Sequence, residues 1–199
     1  MIRLARSLAR PLFAAILALL APALALTHTG HEGGSAGFAA GFLHPLTGVD
    51  HLLAMLAVGL WAVQLRGRAA WLLPALFPAV MAAGAGMALT SGALPGVELL
   101  IVLSVIVLGA AVTLGARPPL AASAALVGCF ALAHGYAHGA EFPAGGNFAA
   151  YAAGFVGATV CLHLTGLAIG LLGQRWSSGR ITRLGGSAIA ISGLALLFA

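Results

Sequence analysis

The chain has 199 residues, of which 61% are hydrophobic and 7% charged, and its mean hydropathy is +1.08. Soluble chains carry about 25% charged residues, so this one lacks the polar surface to cover an apolar core in water, and an integral membrane protein is expected. The formal net charge of +5 does not point to nucleic acid: there is no lysine, and the arginines lie in short separated groups with no basic stripe interleaved with aromatics.

Residues 1–25 read as a secretory signal. Arg3, Arg6 and Arg10 form a positive start, Leu12 to Leu20 a short apolar stretch, and Ala23-Leu24-Ala25 offers small residues for cleavage. An uncleaved first span is the alternative, and it leaves the following topology unchanged. Cleavage after Ala25 would start the mature chain Leu26-Thr27-His28, followed by His31 and Glu32. A free amine with histidine at the third position wraps Ni(II) or Cu(II) in square-planar nitrogen. Cleavage after Thr27 would instead leave His28 at the terminus, and a polar tail whose histidines do nothing is the plain alternative. Residues 26–43 are expected as a histidine-containing tail and residues 44–199 as the membrane domain.

Six apolar runs follow, at roughly 44–65, 69–90, 97–115, 118–138, 148–172 and 184–199. A helix needs about 20 residues to cross the hydrocarbon core, a length that five runs meet; the last is marginal, and is expected to be short, tilted or to begin slightly earlier. The expected fold class is therefore all-α, a polytopic bundle of six transmembrane helices after a signal peptide. The loops offer an internal check. Arg66 and Arg68 fall in the first, Arg117 in the third, and Arg175, Arg180 and Arg183 in the fifth, while Glu32, Glu98 and Glu141 fall on the opposite side. By the positive-inside rule the arginine side is cytoplasmic and both ends lie outside.

Glycine, with 28 residues, recurs at helix-packing spacings such as Gly166/Gly170 and Gly84/Gly86. In lipid, close backbone approach through small residues is what holds a bundle together. Cys129 and Cys161 lie within apolar runs and read as small buried residues, since a disulfide needs an oxidising aqueous compartment.

Two groups of ionisable residues interrupt this apolar sequence. The first is His44-Pro-Leu-Thr-Gly-Val-Asp50-His51, with Met55 one turn beyond His51. Pro45 suits a first helical turn and biases His44 away from helical geometry, and Gly48 makes a local unwinding plausible. The second is His134, His138 and Glu141, whose spacings of four and three stack them on one helical face. At 1.5 Å per residue, His51 lies roughly 21 Å above the inner end of its run and His138 about 30 Å up its own, so the two groups reach similar depths. Glu98, at the outer end of the third run, can join them. His163 stands alone near the midplane, where a core histidine bonded to a neighbouring carbonyl is an equal reading. Ionisable groups in a bilayer are costly unless paired or solvated, and imidazole with carboxylate suits a borderline divalent ion such as Ni, Co, Zn or Fe(II).

The two motifs together, with the His-Thr-Gly-His start at His28 and the succession of spans, resemble the HupE/UreJ family over essentially the whole chain. The resemblance implies a bacterial inner-membrane permease for nickel, sometimes cobalt, feeding hydrogenase or urease assembly. It further implies that His44, Asp50, His51, His138, Glu141 and Glu98 are the working residues, and that Phe77 is an aromatic lining the path.

The expected mechanism is uptake of Ni(II), with Co(II) or Zn(II) as alternative cargo, and no organic cofactor. His28, His31 and Glu98 would capture the ion. His44, Asp50, His51, His138 and Glu141 would bind it, with His134 as ligand or orienting partner, and Met55 and His163 would lie along the way inward. Lipid, the metal ion and cytoplasmic nickel chaperones or enzymes are the expected partners. No Walker motif is present, so this chain does not itself hydrolyse ATP. Rival readings are an intramembrane metalloenzyme and a metal-binding accessory or sensor without flux; enzyme activity is not expected. Ser91 has no partnering base nearby. The mature chain should begin at Leu26: an intact mass of the purified protein that still includes residues 1–25 would remove the amino-terminal chelate.

Overall fold

The computed structural model describes residues 37–92 and 94–198. The signal, most of the tail, His28 and His31 lie outside the described residues. Seven helices follow one another, with no strand among the described residues: α1 (Phe38–Thr47), α2 (Val49–Leu65), α3 (Ala69–Ser91), α4 (Val97–Leu114), α5 (Leu120–Ala140), α6 (Phe148–Ser177) and α7 (Arg180–Leu196). Four of them, α3 to α6, are long and apolar enough to cross a membrane. The pair α1 and α2 makes a fifth if the two are counted as one span. Helix α7 has 17 residues.

The first expected run is not one helix. Helices α1 and α2 meet at Gly48 and are bent by 83°. Pro45 lies inside α1, so His44 is helical rather than held ahead of the helix by its proline, a correction to the expectation above. A proline is tolerated this far in because its missing N–H orphans only the Gly41 carbonyl, in the short first turn. Three residues later α1 ends: the Gly48 N–H donates to the His44 carbonyl at 3.3 Å, and the Thr47 hydroxyl donates to the same oxygen at 2.9 Å. Gly48 is extended, with φ −80° and ψ 111°, and the chain re-enters a helix at Val49. Asp50 thereby sits in the first turn of α2, where the helix dipole favours a carboxylate.

Small residues set the distances between helices. A Cβ on Gly135 would collide with the Met81 carbonyl, and one on Gly139 with the Ala85 carbonyl, so α5 lies directly on α3. Gly41 and Gly154 make the same close approach between α1 and α6, and Gly59 and Gly166 between α2 and α6. Gly84 and Gly170 also face neighbours, at 2.5 Å from the Leu132 carbonyl and 3.1 Å from Val63 for an added Cβ. Gly86 faces open space and packs against nothing, unlike its expected role. Without a hydrophobic force between helices in lipid, this contact of backbones and the dispersion it gains hold the bundle together.

Trp61, Phe77, Phe155, Met55, Leu73 and Met81 fill the centre between these helices. The cysteines do not join them: Cys129 and Cys161 are both free and exposed on the outer face of the bundle, correcting the expectation of burial. Helix α6 runs on past the expected end at 172, started by the Asn147 side chain accepting from the Ala150 N–H at 3.0 Å. Helix α7 starts at Arg180 instead of after Arg183. Replacing Gly139 by leucine should lower stability by about 1–3 kcal/mol through overpacking, whereas Gly86→Leu should change it by no more than about 0.5 kcal/mol. Thermal melting of the two purified variants in one detergent measures the contrast.

Candidate metal site

The break at Gly48 aims two histidines at one point. His44, in the last turn of α1, and His51, in the first turn of α2, have ring centroids 5.9 Å apart. From α5, His138 completes the group, its ring centroid 4.8 Å from each of the other two. Ligand atoms of His44, His51 and His138 lie within 4.8 Å of one another, a spacing at which three imidazoles could hold one divalent cation. His134, one turn before His138, brings its ring to 5.0 Å from that of His51.

Each carboxylate orients one imidazole. The His51 Nδ1–H donates to Asp50 Oδ1 at 2.8 Å, and the His51 backbone N–H donates to the same oxygen at 2.7 Å. A carboxylate can only accept, so this contact fixes the proton on Nδ1 and leaves the Nε2 lone pair free. Gly48 gives the pair its room: a Cβ there would stand 3.1 Å from Asp50 Oδ1 and 3.2 Å from His51 Nδ1. At the end of α5, Glu141 Oε2 accepts from His44 Nε2 at 2.8 Å, which leaves His44 Nδ1 as that ring's lone pair. The same hydrogen bond holds the Glu141 carboxyl below its usual range, so it stays ionised at neutral pH.

His134 uses one nitrogen to fix its ring and leaves the other bare, and His138 leaves both without a partner. His134 Nδ1–H donates to the Phe130 carbonyl at 2.9 Å. The His138 ring stacks on Phe155 at 4.8 Å and 6°, and neither of its nitrogens has a protein partner. His51 Nε2 and His134 Nε2 are likewise buried without a partner. An unsatisfied buried polar atom costs roughly 1–3 kcal/mol. Several lone pairs gathered in one buried volume form a site made for a cation.

Beneath this group, Phe77 lies between two histidines. Its ring is edge-on to His134 at 5.4 Å and to His163 at 5.1 Å, and it is fully buried. His163 Nδ1–H donates to the Pro74 carbonyl at 3.2 Å. That carbonyl is open because Pro78, four residues on, has no N–H to offer it. Met55 is fully buried, and the Thr159 hydroxyl donates to its sulfur at 3.3 Å and to that of Met81 at 3.7 Å.

The structure thus brings together His44, Asp50, His51, His134, His138 and Glu141, and links His163 to them through Phe77. Glu98 is not among them: it stands exposed in the first turn of α4. Sequence reasoning did not find Tyr151, whose ring is 6.2 Å from that of His44, nor Phe155 under His138. It also passed over Pro78, which inside a helix leaves the carbonyl four residues earlier, that of Pro74, without its usual donor.

Apolar helices long enough to span a bilayer, with a buried cluster of histidines between them, define a polytopic membrane protein with a candidate metal centre. The family model described as HupE / UreJ protein matches residues 16–196, and the chain belongs to that family. It is similar to the curated Protein HupE of Rhizobium leguminosarum bv. viciae, with 42% identity over 183 residues that cover 92% of this chain and 94% of the relative. No solved structure matches the chain.

Asp50→Asn keeps the shape of the Asp50–His51 contact and removes its charge. Loss of such an orienting partner typically weakens metal binding about 10–100-fold. Calorimetric titration of Ni(II) into purified protein checks this, and unchanged affinity would remove Asp50 from the site.

Proposed function

We propose that this protein is an uptake permease of the bacterial inner membrane for a divalent transition-metal ion, Ni(II) before others, supplying hydrogenase or urease maturation. The observation that carries the reading is the gathering of His44, His51 and His138 ligand atoms within 4.8 Å of one another, two of these rings being held by carboxylates. Membership of the HupE/UreJ family supports it. The membrane domain crosses the bilayer six times: the bent pair α1–α2 counts as one crossing, α3 to α6 as four, and the short α7 as the last. Both ends are then periplasmic and the arginine loops cytoplasmic.

On this reading Glu98 and the histidines of the tail, His28 and His31, meet the hydrated ion first. His44, His51 and His138 replace its water, and Asp50 and Glu141 offset its charge while orienting two of the rings. His134 receives the ion or steadies the site, and Phe77 separates this station from His163. Binding must be favourable enough to dehydrate the ion and weak enough to let it go. A cytoplasmic chaperone or nickel enzyme draws it off.

Cells expressing the chain should accumulate radioactive nickel at trace concentration. The Asp50→Ala/His51→Ala double variant should lose at least about 90% of that uptake while reaching the membrane in normal amount, as expected when a ligand and its orienting carboxylate are removed together. Normal uptake by the inserted double variant would overturn the proposal. Product formation without ion flux in proteoliposomes would favour an intramembrane enzyme instead.

A further inference from the structure

At the end of the bundle away from the histidines, a polar cavity of about 580 Å³ opens between the ends of α2, α4, α6 and α7. Arg66 reaches it from the α2–α3 connection, Arg117 from the α4–α5 connection and Arg183 from the first turn of α7. Three arginines from three separate stretches of chain thus line one space. A positive-inside bias explains why arginines are on this side; it does not explain why they converge.

Among the described residues no carboxylate balances them: Asp50, Glu98 and Glu141 lie at the opposite end, and Asp50 and Glu141 are engaged with histidines there. Among the described residues, no arginine takes part in an ion pair. All three are exposed, so solvent screens their mutual repulsion, and an anion seated between them gains from their combined field.

The walls are built to hold the charges in place. The Arg183 guanidinium rests on Gly115, where an added Cβ would be 3.0 Å from Nη2. Gly115 itself has φ +63°, so its lack of a side chain serves both the turn and the close approach. Arg66 has φ +62°, a left-handed conformation that a residue with a long side chain rarely adopts. Strain of that kind persists where the surroundings impose it, often at ligand sites. Two glutamines complete the walls, each donating its amide to a backbone carbonyl: Gln64 to Val112 at 2.9 Å and Gln174 to Val63 at 3.1 Å. With its nitrogen so engaged, the buried Gln64 Oε1 is left as an acceptor without a partner.

We infer that the cavity between Arg66, Arg117 and Arg183 binds a phosphate anion, either the headgroup of an acidic phospholipid such as phosphatidylglycerol or free inorganic phosphate. Planar guanidiniums match phosphate oxygens through paired hydrogen bonds, which is why arginine is preferred at such sites. Basic pockets between membrane helices recognise lipid headgroups in this way. The site lies apart from the histidine cluster and does not depend on what that cluster carries.

The full chain, purified in a neutral detergent, can be titrated with phosphatidylglycerol, phosphatidylcholine and inorganic phosphate while thermal unfolding and native mass are followed. Stabilisation and retained adducts with phosphatidylglycerol alone identify the headgroup as ligand; with inorganic phosphate, a free anion. Either result supports the site, provided that R66Q/R117Q/R183Q lowers the apparent affinity by about tenfold or more, as loss of paired guanidinium contacts should. R68Q/R175Q/R180Q removes the same charge from residues that do not line the cavity and should bind like the parent. Should the lining variant melt at a different temperature unliganded, the single variant R117Q, on an exposed connection, is read instead, with a weakening of several-fold expected. Equal responses to phosphatidylglycerol and phosphatidylcholine with none to phosphate, or equal weakening by the two triple variants, would overturn the inference.

Discussion

The hydrocarbon core of a bilayer offers no water to a polar group, and so an imidazole held among apolar helices must find its partners in protein. The carboxylate–imidazole contact of Asp50 and His51 meets that demand on one side of the ring and creates the opposite problem on the other. Fixing the proton on Nδ1 turns Nε2 toward its neighbours as a bare lone pair. Repeated by Glu141 on His44 and by backbone carbonyls on His134 and His163, the same arrangement gives a column of rings whose free nitrogens have no protein donor to meet. The rest of the fold can be understood as the scaffold that makes such a column tolerable. Small residues let the helices close around it, aromatic faces line it, and a break in the chain brings two of its members to one point.

That break does what a straight helix could not. His44 and His51 are seven residues apart in sequence, which on one continuous helix would put them about 10 Å apart along the axis. Bending the chain by 83° at Gly48 places their rings within 5.9 Å. Irregular backbone at membrane depth is tolerated where it is covered by protein or lines a cavity, and here α6 covers it through the close approach at Gly41 and Gly154. A single residue without a side chain therefore sets both the turn and the clearance for the Asp50–His51 pair.

Much of this was legible in the chain. Composition gave the solvent, arginine placement gave an alternating course of helices, and the spacing of His134, His138 and Glu141 showed which face of α5 they share. That His44, Asp50 and His51 meet this face followed from comparing depths on two helices, a one-dimensional argument that survives because bilayer helices run nearly parallel. What failed did so for lack of a second dimension. Glu98 has a similar height but stands exposed at the start of α4, and height alone cannot tell inward from outward. The cysteines were assigned inward on polarity, although in lipid a small thiol is as comfortable outside. Pro45 was expected to start a helix, yet it is accommodated within one because only a single early carbonyl loses its partner.

Acidic and basic side chains are sorted to opposite ends of the described bundle: Asp50, Glu98 and Glu141 near the turns before α2, at the start of α4 and after α5, and every described arginine near the other end. The molecule is consequently polarised along its length. A cation leaving the histidine column toward the arginines climbs an electrostatic slope raised by the protein's own fixed charges, and at the low dielectric of the interior that slope is far steeper than it would be in water. Descent into the column is downhill and escape from its far side is not, unless the membrane voltage or a counter-anion seated among the arginines levels the last stretch. The separation of charge along the bundle is, by the same token, a brake on any positive ion moving from the histidines toward the arginines.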